Sequence, residues 1–123
     1  MLTFNVEVVL KGRDDAVTEA VSVAHGRPAS WDEVAVRDVL VEILRAIDRV
    51  ERPGAGADRN VVLRGFSWIV EPADGDDQVV IAIEIPMGAA VAGPFAIAQA
   101  ALDALIATVL RAERQAWAPQ TVH

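Results

Sequence analysis

FNVEVVLKGRDDAVTEAVSVAHGRPASWDEVAVRDVLVEILRAIDRVER, residues 4 to 52, is the stretch whose reading decides the fold, because its pattern returns later in the chain. Shifted forward by 62 positions without a gap, it falls on Phe66 to Arg114 with 11 identities in 49 pairs. Phe4 meets Phe66, Val8 meets Val70, and Asp14 and Asp15 meet Asp76 and Asp77. Val17, Ala20, Gly26 and Leu40 meet Val79, Ala82, Gly88 and Leu102, and Arg49, Glu51 and Arg52 meet Arg111, Glu113 and Arg114. Self-similarity at one fixed offset reads as an internal duplication.

The first copy runs from about residue 2 to 52. Leu2, Phe4, Val6, Val8 and Leu10 alternate with Thr3, Asn5, Glu7 and Val9, the period of a half-buried strand. Lys11 to Asp15 is turn chemistry, and Val17 to Ala24 returns as a second strand with Val17, Val21 and Val23 inward. After the connector His25 to Ala29, Ser30 is the expected N-cap, with Glu33 as its capping-box partner. A helix is then expected from Trp31 to about Arg52. Its apolar stripe is Val36, Leu40, Ile43, Leu44, Ile47 and Val50, with charges on the far side. Pro53 and Gly54 stop it, and residues 53–60 read as a linker.

The second copy, about 61 to 114, is more apolar. Val61 to Glu71 and Val79 to Ile85 read as strands around the turn at residues 72–77. Met87 to Gly93 reads as a small-residue loop, and a helix is expected to start at Pro94. Its stripe is Ala98, Leu102, Leu105, Ile106, Val109 and Ala112, the six stripe positions of the first helix moved by 62. Residues 117–123 read as a tail.

The expected architecture is therefore one α+β domain over residues 1–116, a β-β-α-β-β-α two-layer sandwich. It has a four-stranded antiparallel sheet and two helices on one face. This element order resembles the pterin carbinolamine dehydratase-like fold, which dimerisation domains of RNA polymerase assembly subunits also share. The resemblance covers element order alone. The dehydratase site is built on clustered histidines with prolines and aromatics near them. This chain has only His25 and the near-terminal His123, so that activity is not carried over.

Composition excludes several function classes. The chain has 18 acidic and 11 basic residues, a net charge of −7. It has no basic run of the kind that grips nucleic acid phosphates or an anionic membrane surface, so neither is an expected partner. With no Cys, it offers no disulfide, thiol nucleophile or thiolate metal site. No cofactor motif is present. Gly88 to Pro94 leads toward the expected second helix, but no Lys follows the second Gly, so the phosphate-loop pattern fails. The N-terminus does not read as a signal peptide, and Ile85 to Leu102 is broken by Pro86, Gly88, Gly93 and Pro94, so it does not read as a membrane span. A cytoplasmic protein is expected.

Four groups of residues are candidates for function. Ala96, Ala100, Ala104 and Ala107, with Leu110 on their flank, give the second helix a small-residue face for a subunit contact, unless alanine is there simply as a helix former. Glu19 stands at an inward strand phase where the second copy has Ile81. It reads as a general base in a raised-pKa setting, or as the mark of an edge strand. Asp74, Asp76 and Asp77 crowd one hairpin as Asp14 and Asp15 do the other. Oxygen-rich loops can hold a divalent cation, although turn chemistry explains the same residues. His25, with Arg27, Trp31 and Asp32 near it, is the best polar cluster: an acid/base, a cation and an aromatic platform on one connector, or a solvated connector.

The leading expectation is a non-enzymatic interaction or regulatory domain without a cofactor. It forms a homodimer through the Ala-rich helix or through the outer sheet face, where Val9, Ile69, Val80 and Ala82 mix with Glu7, Ser67 and Glu84. One alternative is an acidic inhibitor or immunity-type protein that covers a basic partner with the carboxylates of the two hairpins. Another is a small-molecule-binding protein or enzyme with a pocket near His25.

Overall fold

A computed structural model of the chain describes residues 1–54, 61–73 and 77–117. The alternating N-terminus forms β1 (Leu2–Leu10), and β2 (Val17–Val23) returns beside it. A single 3-10 turn at Pro28–Ser30 leads into α1 (Glu33–Glu51). Then follow β3 (Ser67–Pro72), β4 (Val79–Ile85), β5 (Gly88–Phe95) and α2 (Gln99–Trp117). All pairings are antiparallel, in the order β2-β1-β5-β4-β3. The fold is α+β with two helices, but the sheet has five strands where the sequence reading expected four.

The extra strand is β5, the stretch read as a loop. Ala89 to Ala92 has no large side chain and sits between Gly88 and the Gly93-Pro94 pair, so composition spoke for a turn. Its smallness has another cause. β5 is the central strand, with β1 on one side and β4 on the other, and Ala90 and Ala92 are buried beneath the helices. A Cβ on Gly88 would stand 2.2 Å from the Val9 carbonyl oxygen, so the backbones themselves require glycine there. The residues Pro86 and Met87 make a two-residue turn between β4 and β5. At the other end, Gly93 takes φ +127° and the β4–β5 register shifts between Val79 and Ile81.

The shift by 62 aligns β1 with β3 and β2 with β4. In the sheet, however, β1 is interior and β3 an edge, while β2 is an edge and β4 interior. Matched strands hold opposite positions, and β5 has no counterpart in the first half. The arrangement therefore gives the duplication no support, and the dehydratase-like element order does not hold.

One core lies between the sheet and the helices. Phe4, Val6, Val8, Leu10, Val21, Val23, Val70, Ile81, Ile83 and Ala92 point into it from the strands. Val36, Val39, Leu40, Ile43 and Ile47 meet them from α1, and Leu102, Ile106 and Val109 from α2. Phe95 is the hinge of the packing, edge-on to Phe4 at 5.0 Å and to Trp31 at 5.2 Å. Asp32, not Ser30, caps α1, accepting from the Ala35 amide at 2.9 Å. Ser30 is taken up in the 3-10 turn that carries the chain across the end of the sheet. Because α2 starts at Gln99 rather than Pro94, Ala96 and Ala98 precede it; of the expected stripe, Ala112 is also exposed. The Gln99 amide ties that start to the Val70 carbonyl of β3 at 2.8 Å.

Candidate functional site

Both helices lie on one face of the sheet, and the other face has no covering layer among the described residues. Strand alternation decides what it shows. Across the middle run Thr18, Glu7, Val91, Ala82 and Ile69, one residue from each strand in register. The next row holds Val9, Ala89, Glu84 and Ser67. Val80 faces the same way beside Glu71. Val9, Ala89, Val91, Ala82, Ile69 and Val80 thus form one apolar strip. Its larger members stand well out of the surface, with Val9 45%, Ile69 52% and Val91 42% exposed.

Glu7, Glu71 and Glu84 surround that strip, and no outward position of the five strands carries Lys or Arg. At one end the face deepens into an open trough of about 740 Å³ between the start of β5, the ends of β1 and β4 and the segment before β3. Val9 and Ala89 belong to both trough and strip, and Ser67, Glu84, Phe66 and Lys11 also line the trough. The surface is therefore apolar along its centre, acidic at its margin and concave at one end. Such a surface can seat a protein with a protruding side chain and a basic rim.

The cluster at the β2–α1 connector comes apart. His25 Nε2 lies 2.7 Å from Asp38 Oδ2 in the second turn of α1, a partner that the local reading did not name. Trp31 is buried against Phe95, and its indole N–H donates to the Gly26 carbonyl at 3.1 Å, so its ring belongs to the core. Asp32 is the helix cap, and Arg27 is exposed. These four side chains do not converge on one point of chemistry; each has a separate structural duty or faces solvent.

Glu19 lies on the edge strand β2 and binds Arg49 of α1 through Nε at 2.9 Å. The inward carboxylate sits where the sheet edge lets a helix arginine reach it. Of the cation candidates, Asp74 and Asp76 lie outside the described residues. Asp77 is in the β3–β4 turn with φ +61°, and no group of three metal-ligating side chains comes together among the described residues. On α2, Ala100 and Ala104 are exposed, Ala107 and Leu110 are half-buried, and Ala96 is outside the helix. Leu110 packs against the core. The helix face has no exposed large apolar side chain, whereas the sheet face has three. No helix among the described residues is long and apolar enough to cross a membrane.

The sequence reading placed Val9, Ile69, Val80, Ala82, Glu7, Ser67 and Glu84 on this face, and all of them are there. It missed Ala89 and Val91, the central pieces, because they sit on β5. Little in the sequence signals them, because Ala90 and Ala92 alternate with Ala89 and Val91 at almost no contrast in size or polarity. Compared with known proteins, the chain matches no family model, no curated protein and no solved structure.

Proposed function

We propose that this chain is a non-enzymatic protein-interaction domain whose working surface is the uncovered face of the sheet. Its partner is a protein that brings an apolar patch ringed by basic side chains. The observation that carries this reading is the strip Val9, Ala89, Val91, Ala82 and Ile69, bordered by Glu7, Glu71 and Glu84 with no basic residue among the strand positions. Apolar area of this kind supplies affinity, and the strand glutamates steer approach and select against acidic surfaces.

The same unbalanced carboxylates make this face a poor surface for meeting its own copy, since like charges would be brought together. The Ala face of α2 is weaker still, because it offers methyl groups and little else. The basic partner favours the inhibitor-type reading over a metabolite enzyme, with the strand glutamates rather than the hairpin aspartates as the charged contacts. Because Trp31 packs in the core and Asp32 caps α1, the sheet face is a better supported surface than a pocket near His25.

The test compares capture of basic proteins from a cell extract by wild type, Ala82→Arg and Ala104→Glu. Ala82→Arg should lose the captured protein, Ala104→Glu should keep it, and high salt should weaken it in both wild type and Ala104→Glu. Capture that survives Ala82→Arg would overturn the reading.

A further inference from the structure

Among the described residues the sheet has two edges with no strand beside them, β2 and β3, and they differ. β3 ends in Pro72, which has no amide hydrogen to offer a neighbour, and carries the exposed Glu71 beside it. Both are devices that discourage another strand from adding. β2 runs for seven residues, VTEAVSV, without Pro or Lys. Its outward side chains are Thr18, Ala20 and Ser22, all small, and its one charge, Glu19, is held by Arg49. β2 is the edge left open.

Above β2 runs a stripe of α1 at helical spacing: Asp38, Glu42, Arg45 and Arg49, all part-exposed. That this stripe overhangs the edge is fixed by two contacts, His25 with Asp38 just past one end of β2 and Glu19 with Arg49 near the other. The first half of the stripe is acidic and the second half basic. Turned end for end, it is its own complement. Among the described residues, the buried Arg45 Nε has no hydrogen-bond partner.

We propose that a second copy of this chain pairs along β2, edge to edge and antiparallel, making one continuous sheet from the two sets of five strands. α1 lies over β1 and β2. Strands joined at the usual spacing of about 4.8 Å then leave the two α1 axes about 10 Å apart, where helices pack. Because the two-fold axis runs the helices in opposite directions, Asp38 and Glu42 of one copy face the partner's Arg45 and Arg49. The contact is isologous, as a two-fold dimer requires. It leaves the uncovered sheet face free on both copies, so a dimer presents two of the surfaces proposed above on one side.

The experiment uses two charge-reversed chains, one with Asp38→Arg and Glu42→Arg, the other with Arg45→Glu and Arg49→Glu, followed by sedimentation of the full-length protein. Wild type should sediment at twice the chain mass. Each reversed chain alone should sediment as a monomer, and an equimolar mixture should recover the doubled mass, which also shows that both chains fold. Ala20→Lys, which places two like charges near the axis on the exposed side of β2, should give a monomer that still unfolds cooperatively, with a midpoint that no longer depends on protein concentration. A wild type that stays at the chain mass at every soluble concentration would overturn the proposal, and so would reversed chains that remain dimeric alone or fail to recover dimer when mixed. Ala82→Arg separates the two readings: it should lose partner capture and keep the doubled mass.

Discussion

The two faces of one sheet follow opposite rules. On β5 the inward residues Ala90, Ala92 and Phe95 are buried, and what they touch explains their sizes: α1 lies close above the alanines, and Phe4 and Trp31 hold the ring. On the outward side of the same strand, Val91 stands beside Ala82 and Ile69, and nothing within the described residues covers it. Folding accounts for the inner face completely. It does not account for a contiguous apolar strip in solvent, and the proposed interaction surface rests on that surplus.

The comparison can be broken from the inside first. Phe95→Ala removes the ring shared by two aromatic neighbours, and chemical denaturation should show a loss of about 3–5 kcal/mol. Gly88→Ala tests the close approach of β5 to β1. Its methyl group meets backbone rather than a yielding side chain, so a loss of about 1–3 kcal/mol or more is expected. Asp32→Ala deletes the cap of α1 and should cost about 0.5–2 kcal/mol, whereas Ser30→Ala should cost much less in the same assay. Replacing Arg49 by Ala opens its part-exposed pair with Glu19 and should change monomer stability by only about 0–1 kcal/mol. Val91→Thr, on the outer face, should lie within about 0.5 kcal/mol of wild type. If Val91→Thr cost as much as Phe95→Ala, the outer strip would be part of the core and the contrast between the faces would vanish.

How much of this was legible in the sequence follows from residue size. β1 and α1 could be read directly, because Phe4, Val6, Val8 and Leu10 alternate strictly and Val36, Leu40, Ile43 and Ile47 keep a helical spacing. β5 could not. Alanine alternating with alanine carries no periodicity, and Gly88, Gly93 and Pro94 imitate the punctuation of a loop while serving a crowded central strand. That one misreading displaced the start of α2, put Ala96 on a helix it does not belong to, and hid the centre of the sheet face. The apparent repeat misled in a related way, since apolar spacing in two halves can agree without the strands taking equivalent places. At the candidate site, Glu7, Val9, Ile69 and Ala82 were visible by strand phase. The pairings of His25 with Asp38 and of Glu19 with Arg49 were not, because they join residues 13 and 30 positions apart.

The chain has no cysteine, so a single introduced thiol can report on one place in the molecule. The most direct measurement is the maleimide labelling rate of Val91→Cys on the sheet face and of Ala104→Cys on α2, in buffer and in cell extract. The account predicts that extract slows labelling at position 91, that high salt restores it, and that position 104 labels at one rate throughout. Equal rates at position 91 in buffer and extract, or protection at position 104 instead, would contradict it.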